Sequence, residues 1–297
     1  MTRSGFVGAV AAASILAAPG AAQQQDVEIV VTTVADGVWM LTGQGGNIAI
    51  GAGADAVFIV DDQFAPLTDR ISEAIRELGH GDVDFVLNTH WHADHTGGNE
   101  NFGRAGALIV AHRNVRERMS TDQFIEAMNR TVEASPPEAL PVVTFTSDMA
   151  FHINGEDIEA VHAPAAHTDG DVMVFFRNAN VIHMGDTFFA GRYPFIDRSS
   201  GGSIDGLIAA ADAALELSDA ETRIMPGHGP LSARADLEAY RTVLSTVRDR
   251  VRAMIAEGMS ADEVVGAAPS AEWDETWGGG FIGPENFLRA VYDSLSE

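Results

Sequence analysis

The chain has no cysteine and no lysine. The first absence removes disulfides, thiol nucleophiles, iron–sulfur clusters and cysteine-bound zinc together. The second removes Schiff-base chemistry. There is no C-x-x-C-H haem signature, no Walker loop and no G-x-G-x-x-G after a strand. Basic charge is scarce: the 18 basic residues are all arginine and stand against 43 acids, for a net charge of −25. Such a surface cannot displace counterions from a polyanion, so no nucleic-acid partner is expected. The excess acid reads as a well-solvated surface. Long apolar runs are missing too, except at the start. Arg3 precedes "GFVGAVAAASILAAPGAA", and polarity returns at "QQQD". That is the pattern of a secretory signal peptide over residues 1–22, cleaved near Ala22. The run is short and Ala-rich for a membrane span. A soluble periplasmic or secreted product is expected, free of the membrane once the leader is removed. No oligomeric state is read from the sequence.

What is present suffices for a large core: 297 residues, 46% of them hydrophobic, enough for one large α/β domain or two small ones. "VEIVVTTVADGVWMLTG" reads as two strands turning at Ala35–Gly37, and "GGNIAIGAGADAVFIVDD" as two more. "APLTDRISEAIRELG" is an amphipathic helix with Ile71, Ala74, Ile75 and Leu78 on one face, ended by Gly79. "VDFVLNTH" and "ALIVAH" are strands, the latter followed by helical "RNVRERM". Residues 120–141 are irregular, broken by "SPPEALP", and read as a lid or a surface excursion. Strands follow at "VVTF", "MAFHI", "EDIEAVHA", "DVMVFFR" and "NVIHMGD". Two helices, "SIDGLIAAADAALELS" and "SARADLEAYRTVLSTVRDRVRAMIAEG", flank "ETRIMPGHG". Residues 258–297 hold two short helical patterns around "WGGGFIGP" and form a C-terminal helical extension. Both halves run from strands into strand–helix units, which suggests two sheets face to face with helices outside, an αββα sandwich.

The chemistry lies in ten histidines. His80, His112, His152, His162 and His183 read as structural or exposed. The other five sit where a strand ends or a glycine turn begins. In "THWHADHTGGN", His90 and His92 are two apart, so in an extended segment both imidazoles point one way and reach one ion. Asp94 and His95 follow as the chain turns and reach a second. "HAPAAHTDGD" puts His167 before a strand, "HMGDTFF" puts Asp186 just past one, and "MPGHGP" holds His228 in a Pro–Gly turn. Five imidazoles and two carboxylates suit zinc, and a pair of ions needs a carboxylate between them, for which Asp186 is placed.

This set, His90-x-His92-x-Asp94-His95 followed by His167, Asp186 and His228, resembles the metallo-β-lactamase superfamily from about residue 27 to residue 257. The resemblance implies the αββα fold over residues 27–257, with metals at one edge of the sheets. It implies two Zn²⁺ per chain: His90, His92 and His167 on the first, Asp94, His95 and His228 on the second, Asp186 bridging. His90, His92 and Asp94 would be the catalytic core, a metal-bound hydroxide attacking a cyclic amide or ester. Asp61, closing "VFIVD", matches a position that orients the ligands from behind.

The substrate is expected to be a small molecule. Nuclease action is disfavoured by charge and export. Di-iron flavoproteins carry Glu where this chain has His92, and glyoxalase II has a basic C-terminal region that is acidic here. "GDTFFAGRYPFIDRSSGGS" resembles an exported branch sometimes labelled cyclase or quinoprotein-relay hydrolase. β-Lactam opening, with antibiotic resistance as its consequence, is the lead expectation; a periplasmic lactonase or glyoxalase II-like thioesterase is the alternative, and a non-catalytic metal-binding scaffold the outside class. β-Lactamase relatives with Asp–His–His at the second ion match better than those with cysteine there, yet usually lack the bridging aspartate. They often grip the drug carboxylate with a lysine. Arg192 in "AGRYPF" is the candidate substitute here, since a guanidinium binds carboxylate well; a plain surface arginine is the other reading.

Overall fold

Strict alternation of side chains sets the layers. The computed structural model describes Met1 and residues 27–296, so the cleavage site near Ala22 and the rest of the expected leader beyond Met1 lie outside the described residues. Strands β1 (Val30–Ala35), β2 (Val38–Thr42), β3 (Ile48–Ala52) and β4 (Val57–Val60) lead into helix α1 (Thr68–Glu77). Strand β5 (Phe85–Asn88) is followed by the one-turn α2 (Ala93–Thr96), α3 (Asn99–Ala105), β6 (Leu108–His112) and α4 (Arg113–Met119). Strands β7 (Gln123–Ile125) and β8 (Arg130–Val132) form a small hairpin. Then come β9 (Val143–Phe145), β10 (Asp148–Ile153), β11 (Glu156–His162), β12 (Val172–Phe176) and β13 (Val181–His183). Helix α5 (Ile204–Glu216), β14 (Arg223–Met225), β15 (Ser232–Ala233) and α6 (Arg234–Ala256) precede a tail of α7 (Ala261–Ala267), α8 (Ala271–Trp277) and α9 (Pro284–Leu295).

One sheet runs β1-β2-β3-β4-β5-β6-β9 and the other β10-β11-β12-β13-β14-β15. In β4, Phe58 and Val60 face the second sheet while Val57 and Ile59 face helices. In β12, Val172, Val174 and Phe176 face the first sheet while Met173 and Phe175 face the other way. Strands buried on both faces need apolar residues at every position, as "VFIV" and "VMVFF" supply. Outside the first sheet, Ile71, Ile75 and Phe102 of α1 and α3 cover Ile50, Ile59 and Val86. Outside the second, Leu207, Leu237, Leu244 and Phe287 cover Phe175, Ile182 and Ile224. Four layers result, in the αββα order.

Three features go beyond the sequence reading. Residues 99–105, "NENFGRA", form a helix that no long apolar period announces. Residues 120–141 are not structureless: they carry the β7–β8 hairpin and two short 3-10 turns. The tail holds three helices, not two, and packs into the main core. Phe287 of α9 is fully buried and stacks on Tyr193 at 4.4 Å between centroids, and Trp277 stacks on Tyr240 at 6.0 Å. Among the described residues no helix is long and apolar enough to cross a membrane. Phe287→Ala is expected to lower folding stability by about 3–5 kcal/mol, measured by urea denaturation; an unchanged midpoint would show the tail to be dispensable.

Candidate metal centre

Parallel pairing of β4 with β5 and of β13 with β14 brings strand ends to one edge of the sandwich. Thr89–His92 follow β5, Gly185–Asp186 follow β13, and Pro226–His228 follow β14. His167 comes from the β11–β12 loop. His92 is still extended (φ −66°, ψ 147°) and caps α2, whose first turn carries Asp94 and His95. Extended spacing thus places His90 and His92 together, and the helical turn swings Asp94 and His95 to a second position.

All seven predicted residues converge. His90, His92 and His167 present ligand atoms within 4.8 Å of one another, as do His90, His95 and Asp186, and as do Asp94, His95 and His228. Asp186 lies between: its Oδ2 is 3.9 Å from His90 Nε2 and 3.6 Å from His167 Nε2, while its Oδ1 is 3.2 Å from His95 Nε2 and 3.4 Å from His228 Nε2. That is the place of a bridging carboxylate.

The outer nitrogens show what the inner ones are for. His95 Nδ1 lies 2.7 Å from Asp61 Oδ2, His92 Nε2 lies 3.0 Å from Asp197 Oδ2, and His167 Nδ1 lies 2.7 Å from the Phe195 carbonyl. These partners only accept, so each imidazole donates outward. Thr89 Oγ1 spends its proton on Asp61 at 2.8 Å, so His90 Nδ1, 3.0 Å away, donates to it. Three inner nitrogens, on His90, His92 and His167, are thereby left as bare lone pairs, while His95 turns its Nε2 toward Asp186 at 3.2 Å. His92 Nδ1 and His167 Nε2 face each other at 2.9 Å, and His90 Nε2 and Asp186 Oδ1 are buried without a hydrogen-bond partner. Bare acceptors cannot face one another in a dry interior unless positive charge lies among them. The donor set fits a pair of cations with nitrogen and carboxylate ligands.

The protonation pattern agrees. Burial and neighbouring histidines hold His90 far below its ordinary range, and burial holds His167 down at about 4. Burial opposes charge on His228 and His95 as well, but Asp186 outweighs it, holding His228 at about 9 and His95 well above its ordinary range. Asp94, resisted by burial but favoured by His95 and His228, stays anionic down to about 2. Without metal, protons on His95 and His228 supply the missing charge.

Of the two supporting residues proposed from sequence, Asp61 is fully buried and also accepts the Thr89 amide at 2.7 Å, so it binds the strand end and His95 together. Arg192 is half-buried and lines a cavity of about 370 Å³ over the cluster. Its side chain makes no ion pair or hydrogen bond among the described residues, nor does that of Arg130 on the same cavity. Phe189, Tyr193 and Phe195 line it too, while Phe188 is core against Tyr240. The 120–141 segment contributes Ile125, Met128 and Val132, and the tail contributes Phe281 and Ile282.

Sequence reasoning missed several supports. Asp197 also accepts the Ser200 hydroxyl, which Trp91 Nε1 reaches at 3.1 Å. Asp171 accepts the amides of His167 and Thr168 at 2.6 and 2.8 Å, fixing that loop. The glycines of "TGQGGN" are more than turn residues: a Cβ on Gly46 would fall inside the His95 ring, and Gly46 N donates to Asp94 O at 3.0 Å. Asn47 ties the same hairpin to the His228 turn through Pro226 O and Gly229 O, both at 2.9 Å. The only sequence signal for these is their nearness to turns beside ligands.

The metallo-beta-lactamase superfamily profile matches residues 38–237. The chain belongs to the metallo-β-lactamase superfamily. Among curated superfamily relatives, it is 23% identical to a lactamase-like protein, aptB, of Emericella nidulans, over 61% of this chain and 49% of that one. It is 28% identical to a hydroxyacylglutathione hydrolase of Nitrosococcus oceani, over 55% of each chain. The match thus spans about half the length of these relatives. The fold is shared with a metallo-beta-lactamase from Pontibacter korlensis (TM-score 0.59, 20% identity, 73% of this chain and 99% of that one). It is shared too with the sec-alkylsulfatase Pisa1 of Pseudomonas sp. (TM-score 0.68, 14% identity, 89% of this chain and 50% of that one).

A pH dependence follows for this metallo-β-lactamase fold without metal. His228 at about 9 against an ordinary 6.5, and Asp171, pushed by burial to about 8 against 3.8, keep protons that the unfolded chain releases. The histidines held low are neutral in both states above 6.5 and drop out. The folded state therefore binds more protons, so stability falls as pH rises from about 6.5 to 9. Melting temperatures of EDTA-treated protein across that range check this; a rise would contradict it.

Proposed function

We propose that the chain is a dinuclear zinc hydrolase that opens a cyclic amide or ester, with β-lactam opening as the lead activity. The convergence of imidazole and carboxylate groups on both sides of the Asp186 carboxylate, with bare lone pairs among His90, His92 and His167, carries this reading. His90, His92 and His167 would hold one ion, Asp94, His95 and His228 the other, and Asp186 would bridge. When bound, such a pair supplies an acidified water and Lewis-acid polarisation of a carbonyl.

The remaining work falls to the chain. Asp94 is the ligand set's most exposed carboxylate, with 29% of its side chain open to the cavity. Held anionic, it aims the attacking water by accepting its hydrogen bond. Asp61, Thr89, Asp197 and the Phe195 carbonyl hold the imidazoles in the tautomers that point lone pairs inward. Arg192 offers charge-assisted hydrogen bonds to a substrate carboxylate. Trp91, Phe189 and Phe195 wall the chamber and exclude bulk water. No protein nucleophile is required.

The lactonase and thioesterase alternatives use the same residues, and the apolar walls suit a lactone. A scaffold function leaves the buried lone pairs without purpose. The proposal includes a periplasmic or secreted address, supported by the leader pattern, and kinship with the exported cyclase or quinoprotein-relay branch, supported by "GDTFFAGRYPFIDRSSGGS".

The test is a hydrolysis panel on zinc-loaded protein: nitrocefin, a penicillin, a carbapenem, a homoserine lactone and a glutathione thioester. Opening of a β-lactam is expected, and turnover of the thioester alone would reject the lead reading. His92→Ala and Asp94→Ala are expected to lose at least about a hundredfold in kcat/KM. Asp197→Asn should weaken zinc affinity about 10–100-fold. A fully active, zinc-loaded His92→Ala or Asp94→Ala protein would contradict the scheme.

A further inference from the structure

A second cavity of about 550 Å³ adjoins the first, and none of the seven metal-cluster residues lines it. The two share Met128, Phe195, Phe281 and Ile282 as a common wall. An aromatic path crosses that wall: His92 stacks on Phe195 at 5.9 Å between centroids, and Phe281 meets Phe195 edge-on at 6.2 Å. Phe281 is 71% exposed, a large apolar surface left in water at the junction.

We propose that the two cavities form one continuous trough. The substrate cleaved at the metal cluster carries an unbranched acyl or alkyl chain that runs over Phe281 into the second cavity. This rests on the hydrolytic reading and adds the substrate's shape to it.

The floor of the second cavity includes Pro194, Ile196 and Ala290, which suits methylene groups. Its polar rim is Glu126, Arg198, Ser199, Asn286, Arg289 and Asp293, with charges of both signs. Arg289 is already held by Asp262 and Glu285 at 2.8 and 3.0 Å. Such a rim does not select a charged tail. The reacting ring fills the first chamber, and an extended chain attached to it follows the second across the shared waist. The waist can adjust: Met128 is unbranched with three rotatable bonds, and Phe281 follows Gly278–Gly280. Covering Phe281 and Met128 removes apolar surface from water, so each added methylene strengthens the complex.

The test uses zinc-loaded protein and γ-lactones bearing methyl, butyl and octyl side chains. From methyl to octyl, kcat/KM is expected to rise at least about tenfold. Ala290→Trp fills the second cavity, and Asn286→Trp does so from an exposed position that threatens folding less. Both are expected to bring the octyl-to-methyl ratio to within about threefold of unity. A flat series, or one that neither tryptophan alters, overturns the proposal. A second readout needs no catalysis: fluorescence titration with 11-(dansylamino)undecanoic acid. Saturable binding, weakened at least about tenfold in both variants, supports the trough, and equal binding in wild type and variants overturns it. If neither a lactone nor any substrate of the hydrolysis panel is turned over, the hydrolytic reading fails while this titration still decides the trough.

Discussion

Lone pairs that point at one another in a dry interior are the constraint on which this molecule turns. His92 Nδ1 and His167 Nε2 meet at 2.9 Å, and the nearest groups on the other side are the carboxylate of Asp186 and the ring of His90. Each imidazole could relieve the conflict by rotating its N–H inward. The chain forbids this by giving every outer nitrogen a fixed acceptor: Asp61, Asp197, the Phe195 carbonyl and a Thr89 hydroxyl already committed to Asp61. Such a cage is costly when empty. Cations among the lone pairs would repay that cost.

The rest of the fold holds the cage closed. Parallel strands deliver Thr89–His92, Asp186 and His228 to the same edge, and the buried Gly46 hairpin and Asn47 clamp the second half of the cluster against the His228 turn. Glycine is demanded at Gly46 by the His95 ring and at Gly227 by the Asp186 carboxylate, since a Cβ at either would collide. Rigidity here is positional, built from short contacts between backbone and cluster side chains.

Much of this was legible in the sequence. Unbroken apolar runs in "VFIV" and "VMVFF" and the amphipathic "DRISEAIRE" announce layers because such patterns record burial directly. The seven cluster residues were legible because extended spacing, a turn and strand ends bring histidines and carboxylates to one edge. The supports were not. Asp197, Asp171 and Thr89 are common residues whose roles arise from contacts far along the chain, 105 residues apart for His92 and Asp197. The short helix at Asn99–Ala105 has too few turns for a period to show. The tail looked appended, yet Phe287 supports Tyr193 and Phe281 walls the cavity, a tertiary outcome no local pattern carries.

The central claim is that the inward lone pairs hold two cations, one on each side of Asp186. Anomalous difference density collected at the zinc edge from crystals grown with zinc tests it most directly. Two peaks are expected, one among His90, His92 and His167 and the other among Asp94, His95 and His228. No peak at the cluster, with the imidazoles turned away from one another, would contradict it.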